Sequence, residues 1–316
     1  MARTVSIGAD DFQYIRNEYF YIDKTGFLKE WWESGDKITL ITRPRRFGKT
    51  LNMTERFFSN RYENQGKLFE GLSIWKEEKY RKLQGTYPVI SISFAKVKEN
   101  NYKEAKKRIY QIISSLYSQN VFLEKSELLD EREKNFFYSV GNDMQEAYLG
   151  GYWKEMVDFM RSLFNSTFKT NTYLERAIMT GITRVGKASM FSDLNNLKVV
   201  TTTSEKYACC FGFTEKEVFA ALEEFELSDQ KEEVKFWYDG FMFGKHADIY
   251  NPWSICNFLD TGEFMPYWVN TSSQSLVSRL LQESEPEIKM QMEDLMQDKS
   301  LCMELDEELI LESKET

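Results

Sequence analysis

One stretch, from Ile38 to Thr50 and reading ITLITRPRRFGKT, constrains the fold of this chain more than any other. Its first five residues are apolar or β-branched and predict a buried strand, and the following residues, LNMTERFF, predict a helix. The loop between them ends in Gly48 and Lys49. A strand, such a loop and a helix in this order are typical of a phosphate-binding loop, in which backbone N–H groups and the helix N-terminus face an anion.

The chemistry of such a loop gives two of its residues separate tasks. We expect Lys49 to reach the terminal phosphates of a nucleotide and the hydroxyl of Thr50 to hold Mg²⁺. The loop departs from the usual pattern at its start, where Arg43 and Pro44 replace the glycine that permits a tight turn. The letters alone therefore leave two interpretations open, a nucleotide site and a basic strand-to-helix turn that binds nothing.

A second stretch, Gly181 to Ala188 (GITRVGKA), also has the spacing of a phosphate loop and also follows a predicted strand. Ala188 stands where the magnesium-holding hydroxyl belongs, so we interpret this match as a coincidence. The same region offers Thr180, at a strand end, as a polar sensor of the γ-phosphate, and Arg184 as a cation facing the phosphates. A surface salt bridge is the alternative role for Arg184.

The remaining pattern predicts strands that alternate with helices, which indicates a parallel α/β sheet flanked by helices. The predicted strands are residues 38–42, 87–94, 176–182 and 197–203, and the predicted helices are 25–33, 49–58, 102–118 and 144–168. After Phe213 we expect a mostly helical lid, with a capping box formed by Thr214 and Glu217 and a helix that starts at Asn251 and Pro252. The predicted division is a nucleotide-binding domain at 1–205, a lid at 206–300 and a tail at 301–316.

Composition excludes several classes of protein. Hydrophobic residues make up 42% of the 316 residues and aromatic residues 15%, enough for a sizeable core, and the net charge of −9 disfavours a surface that coats nucleic acid. No run of eighteen apolar residues and no signal peptide is present, so we expect a cytoplasmic protein without a membrane span. A zinc site is not expected from the one histidine, His246, and four cysteines without a CxxC pair.

Several motifs together resemble the AAA-ATPase-like family of bacterial proteins, often joined to a C-terminal PD-(D/E)XK nuclease-like domain. The resemblance spans residues 6 to about 305 and is carried by YFYIDKTGFLKEWWESGDKITLITRPRRFGKTLN, YPVISISF, YLERAIMTGITRVGKASMFSDLNNL, FGFTEKEV, WYDGFMFG, IYNPWSICNFL and YWVNTSS. The family's loop itself reads RPRRFGKT, so Arg43 is a family trait.

The resemblance implies a P-loop NTPase fold of the AAA or ASCE-like type and a site for ATP and Mg²⁺. It also implies that the whole loop binds nucleotide, through Arg43, Pro44, Arg45, Arg46, Phe47, Gly48, Lys49, Thr50 and Leu51. It also implies an adenine pocket lined by Asp23, Lys24 and Thr25, since an element just before the first strand packs on the base in related ATPases. The alternative for that segment is that Tyr21 and Phe27 are simply core residues.

The carboxylates that a hydrolysing enzyme of this class needs are missing from the sequence. The apolar runs end in Ala-Lys after YPVISISF and in Thr-Arg after RAIMTGI, while LKVVTTTSEK reaches Glu205 only after four polar residues. Family members resembling this chain carry a strand of the type IILLDEYDTP before a helix like Met144–Tyr148. Here YSVGND precedes that helix, so we expect the chain to be internally shortened near 140–144.

The sequence therefore predicts an ATP-binding protein whose hydrolysis is impaired or absent. One alternative is a non-catalytic interaction module that uses the basic loop as a docking patch. Another is a working ATPase in which Glu205 or Asp130 substitutes as the acid or a partner subunit supplies one. We expect ATP and a protein partner or second copy as ligands, and nucleic acid only indirectly, through a nuclease domain that this chain lacks.

Overall fold

The structure is a computed structural model that describes residues 4–9, 11–49, 52–95, 97, 102–120, 153–169, 171–181, 184–185, 194–268, 288, 290 and 308–309. Asp130, residues 144–152 of the predicted helix with its Met144–Tyr148 motif, Thr50, Leu51 and most of the tail lie outside the described residues. The part that is described is a mixed α/β structure with two main sheets.

The first sheet has three parallel strands, β1 (Ile38–Thr42), β2 (Ala177–Gly181) and β4 (Leu197–Val200), in the order β2-β1-β4. Ile38 of the central strand lies opposite Ala177 on one side and Leu197 on the other. All five residues of β1 are buried because the strand has a neighbour on each side. This sheet with its helices is consistent with the predicted P-loop-like fold.

The predicted strand at 197–203 is shorter in the structure because β4 ends at Val200. The backbone N–H of Thr201 donates to Ser204 Oγ at 2.9 Å, so the chain turns away from the ladder there. The two-residue strand β3 (Arg184–Val185) pairs in parallel with β8 (Glu308–Leu309).

The prediction of a buried strand at 87–94 is wrong. Tyr87 forms one isolated parallel bridge with Ser59, and the residues from 88 to 94 belong to no ladder of the described structure. Ile90 and Ile92 are 70% and 44% exposed. The segment has the β-branched composition of a strand, but among the described residues no neighbouring strand is in place to accept its hydrogen bonds.

The core beside the first sheet receives side chains from α1 (Phe12–Glu18), α2 (Gly26–Glu33), α3 (Asn52–Phe58) and α4 (Glu78–Arg81). Two longer helices, α5 (Tyr102–Gln119) and α6 (Trp153–Phe168), pack against each other, with the ring centres of Tyr110 and Phe159 5.7 Å apart. The core cluster is rich in aromatic rings, among them Phe57, which packs edge-on against Phe58 and Phe69 at 4.9 and 5.0 Å. Tyr21 and Phe27 also pack in this cluster, so the core role proposed for them is confirmed.

The described portion of the predicted lid, residues 206–268, is less helical than predicted. It contains α7 (Glu215–Glu224), α8 (Lys231–Tyr238) and α9 (Pro252–Thr261), together with an antiparallel sheet of β5 (Phe213–Thr214), β7 (His246–Tyr250) and β6 (Phe241–Phe243) in that order. The predicted capping box is present, because Thr214 and Glu217 satisfy each other's backbone N–H groups. Asn251 likewise caps α9, which has Pro252 at its first position.

Contacts join the C-terminal part to the first sheet. The Lys24 ammonium bonds Glu217 Oε2 at 2.6 Å and the Cys209 carbonyl at 2.9 Å. Phe47 packs with Phe243 and Ile249 of the second sheet in a separate small apolar cluster. The predicted boundary between residues 205 and 206 stays a prediction. No described helix is both long and apolar enough to cross a membrane.

Candidate phosphate-binding site

The loop from Arg43 to Lys49 leaves the carboxyl end of the central strand, β1, where ligands bind in open α/β sheets. The neighbouring strand β2 ends at the same level, since the backbone N–H of Arg43 donates to the Gly181 carbonyl at 3.3 Å. On the other side Thr42 Oγ1 donates to the Val200 carbonyl at 3.5 Å. The loop therefore sits over the carboxyl edge of all three parallel strands.

Arg43, at the position of the usual first glycine, is fully buried. Its guanidinium donates to the carbonyls of Thr42, at 3.1 Å, and Thr201, and it contacts those of Lys206 and Tyr207 at 3.4 and 3.5 Å. It also lies 4.7 Å from the Phe243 ring centre. The side chain thus ties the end of β1 to the 201–207 turn and to β6. The arginine therefore shapes the loop through the hydrogen bonds of its guanidinium, whereas a glycine at this position would do so through its permissive backbone.

Two residues of the loop have a left-handed backbone, Arg46 and Gly48, both with φ of 69°. Gly48 adopts this conformation without strain, whereas an arginine pays about 1–2 kcal/mol for it. The Arg46 guanidinium stacks 4.1 Å from the ring centre of Trp253 in α9. The Asn251 side chain donates to the carbonyl of Arg45 at 3.4 Å. Contacts with α9 therefore hold the strained part of the loop in place.

Phe47 anchors the middle of the loop to the second sheet. Its side chain is fully buried, and its ring lies 4.8 Å from Phe241 and 5.2 Å from Phe243. Gly212 makes room for it, because a Cβ there would stand 3.0 Å from Phe47 Cδ1 and 2.7 Å from the Ile249 side chain. The loop is therefore built on the second sheet as well as on β1.

Lys49 is half-buried, and its ammonium donates to the carbonyl of Pro44. Burial, and to a smaller extent the charges of Arg43 and Arg45, lower the pKa of Lys49 to about 8. None of the loop's four cations makes an ion pair with a carboxylate of the described residues. A site with concentrated positive charge and no neutralising acid is suited to an anion.

The other predicted site residues fall in different places. Thr180 is exposed on β2, one residue before the carbonyl that accepts from Arg43. For Arg184 the structure gives the backbone in β3. Glu205 is engaged elsewhere, because its carboxylate accepts from Lys245 N and His246 Nε2, both at 2.9 Å, at the turn between β6 and β7.

The residues predicted to line an adenine pocket make structural contacts. Asp23 accepts from the N–H and hydroxyl of Thr25 at 2.8 and 2.6 Å, and from Ser73 N at 2.6 Å. Burial raises the pKa of Asp23, but these hydrogen bonds outweigh it and leave that pKa below its usual value. Thr25 is fully buried, so the pocket remains a prediction and these two side chains act in the packing of α2 against residues 73–76.

Sequence reasoning did not find the acceptors of Arg43, which are backbone carbonyls of residues 42, 201, 206 and 207. Every residue has a backbone carbonyl, so no sequence motif identifies the ones that act as acceptors. Asp239 follows the last residue of α8, and its carboxylate accepts from Gly240 N at 2.7 Å in the turn that follows.

Comparison with known proteins supports the interpretation of the N-terminal part. A family model described as predicted AAA-ATPase matches residues 6–148, in agreement with the resemblance to an AAA-ATPase-like domain family. The chain is 27% identical over 305 residues to an uncharacterized protein in the vnfD 5′ region of Azotobacter chroococcum mcd 1. The match covers 89% of this chain and 56% of that protein, so the chain spans about half the length of this curated relative. No solved structure matches significantly.

Proposed function

We propose that this chain binds ATP with Mg²⁺ through the loop at residues 43–51 and hydrolyses it poorly or not at all. The observation that carries the proposal is the cluster of Arg43, Arg45, Arg46 and Lys49 at the carboxyl edge of the sheet, without a described carboxylate partner. A triphosphate supplies the negative charge that this cluster lacks. The match of residues 6–148 to the predicted AAA-ATPase family model supports the choice of nucleotide.

The loop residues have different roles in nucleotide binding in this proposal. Lys49 leaves the Pro44 carbonyl and bonds the terminal phosphates, which restores its full charge. The exposed Arg45 and Arg46 approach the phosphates from outside, while the buried Arg43 keeps the end of β1 in position. Thr50 is the residue that would hold Mg²⁺, and the bound metal would draw charge from the phosphates.

The ends of the described strands support the proposal of impaired hydrolysis. β1, β2 and β4 end at Thr42, Gly181 and Val200, so none presents a carboxylate to water beside the phosphate loop. Glu205, the substitute considered from the sequence, is held by Lys245 N and His246. Removing such an acid from a phosphoryl-transfer site lowers the rate by orders of magnitude.

The docking-patch alternative has less support. A patch that attracts an acidic partner needs exposed charges, but Arg43 is fully buried and Lys49 is half-buried. Of the loop's cations only Arg45 and Arg46 are exposed, and the Arg46 guanidinium already stacks on Trp253.

Binding of labelled ATP to the full chain, with and without Mg²⁺, tests the proposal. Lys49→Ala should reduce affinity at least a hundredfold, because it removes the cation that faces the terminal phosphates. Lys37→Ala is the matched control, since Lys37 is an exposed lysine at the opposite, amino end of β1. Equal binding by Lys49→Ala and the unsubstituted chain would falsify the assignment, and rapid phosphate release by the unsubstituted chain would contradict impaired hydrolysis.

A further inference from the structure

Arg46 of the phosphate loop has an exposed guanidinium that is held by its face and not by its donors. The guanidinium carbon lies over the Trp253 ring, 4.1 Å from the ring centre. Among the described residues none accepts a hydrogen bond from this guanidinium or forms an ion pair with it. A guanidinium stacked on a ring keeps its N–H donors at its edges, in one plane. Arg46 therefore presents unused donors in a fixed direction.

The ring that holds Arg46 is itself fixed by the start of α9. The backbone N–H of Trp253 donates to Asn251 Oδ1 at 2.9 Å, and Ile255 of the same helix is fully buried in the core of the C-terminal part. The side-chain amide of Asn251 donates to the Arg45 carbonyl at 3.4 Å. The start of α9 therefore contacts two consecutive residues of the loop, and packing of the C-terminal part sets the position of the ring.

The backbone of Arg46 also indicates that its side chain has a task. Its φ of 69° lies in the left-handed region, which glycine adopts freely and arginine does not. The loop has a glycine, Gly48, at its other residue with this conformation. Residues held in strained conformations cluster at ligand sites. A glycine in place of Arg46 would remove the strain together with the guanidinium, so the strain is consistent with a role of the guanidinium itself.

The edge of a planar guanidinium donates two parallel hydrogen bonds to a phosphate group. We propose that Trp253 is a positioning residue of the nucleotide site, because its ring holds Arg46 with the donor edge free to bind a phosphate group of ATP. The inference rests on the proposed function, to which it adds a residue from the C-terminal part of the chain.

A tryptophan beside a nucleotide site can also stack on the base. The contact with Arg46 favours the phosphate role, because the guanidinium covers one face of the Trp253 ring. A base on that face would have to displace the guanidinium. Inorganic tripolyphosphate separates the two roles, since it has the phosphates of ATP but neither base nor sugar.

The experiment measures how well ATP and inorganic tripolyphosphate, each with Mg²⁺, compete with labelled ATP for the full chain. Arg46→Gln should weaken both ligands about tenfold or more, because it removes a charged donor from the phosphates. Trp253→Leu should weaken both about fivefold, because the guanidinium loses its support. Trp253→Phe keeps an aromatic face and should bind both ligands within about twofold of the unsubstituted chain. A loss for ATP without a loss for tripolyphosphate would show that the ring acts on the base and would overturn the proposal.

A double-mutant cycle separates positioning of Arg46 from general support of α9. In the Arg46→Gln background, Trp253→Leu should change the affinity less than about twofold, because the guanidinium that the ring holds is already gone. In the Arg45→Gln background the fivefold loss should remain about the same. The control for loss of an exposed tryptophan is Trp237→Leu in α8, whose ring is 42% exposed and stacks on Phe264 at 6.0 Å. This control should bind ATP like the unsubstituted chain.

The outcomes distinguish this inference from the proposed function. If Trp253→Leu weakens binding equally with and without Arg46, the ring only stabilises α9 and the proposal is wrong, whatever the urea midpoint of the variant. ATP binding that depends on Lys49 but not on Arg46 or Trp253 refutes the inference alone. Absence of binding of either ligand to the unsubstituted chain refutes the proposed function, and the inference with it.

Discussion

Replacement of Arg43 by alanine is the most direct test of how the phosphate loop is held. The guanidinium has two well-placed donations, to the carbonyls of Thr42 and Thr201, and two at 3.4 and 3.5 Å that add little. Hydrogen bonds from a charged group contribute about 1.5–3 kcal/mol each, and the contact with Phe243 about 2 kcal/mol in a desolvated setting.

The return of the guanidinium to water offsets part of that loss. Desolvation of a buried charge costs several kcal/mol, and no described carboxylate compensates Arg43. We therefore expect Arg43→Ala to lower the free energy of unfolding by about 3–4 kcal/mol, a large share of the 5–15 kcal/mol typical of a folded protein.

Urea unfolding at pH 7, followed by tryptophan fluorescence and far-UV circular dichroism, measures this change. The matched control is Arg45→Ala in the same loop, whose exposed side chain should contribute less than about 0.5 kcal/mol. Arg43→Lys should fall between the two, because an ammonium keeps the charge but cannot reach carbonyls in several directions. A loss below about 1 kcal/mol for Arg43→Ala would refute the role of the guanidinium as the tie between β1 and the 201–207 turn.

Two further predictions concern the same loop. Because the pKa of Lys49 is about 8 in the free chain and a bound triphosphate raises it, ATP affinity should fall from pH 8 to 9.5 by up to about tenfold per pH unit. Lys49→Arg stays charged, so its affinity should be flat over that range, and an equal slope in both proteins would contradict the prediction. Gly212→Ala should destabilise by about 2–4 kcal/mol and weaken ATP binding, because the new Cβ meets Phe47 and Ile249 at a φ of 84°. Gly35→Ala, with φ of 73° and open space, should lose only about 1 kcal/mol in unfolding experiments. An equal loss in both glycine variants would remove the argument for contact with Phe47.

Local patterns predicted the elements that depend on neighbours in the sequence. Strand β1 has its predicted bounds, and β2 begins one residue after its predicted start. The capping box of Thr214 and Glu217 and the start of α9 at Asn251 and Pro252 were also predicted correctly. Caps and apolar runs follow from interactions within a few residues, so the sequence contains all that they require.

The sequence failed where an element depends on a distant partner. Residues 87–94 have the composition of a buried strand, but a strand needs a neighbour that accepts its hydrogen bonds, and composition does not report whether one exists. The lid was expected to be mostly helical because its three short strands were interpreted as aromatic turns. Short strands carry too few alternating residues to be distinguished from loops.

By itself the sequence determined the phosphate-loop pattern, the strand and the helix on either side of it, and the lack of an apolar run of residues that ends in the expected acids. Tertiary structure alone decided what Arg43 does. The motif marks that residue only as a substitution for glycine, whereas its acceptors are carbonyls about 160 positions away, at residues 201, 206 and 207. Backbone carbonyls are the same in every residue, so the letters of the sequence do not indicate which of them Arg43 reaches. That choice depends on how the first and second sheets pack together.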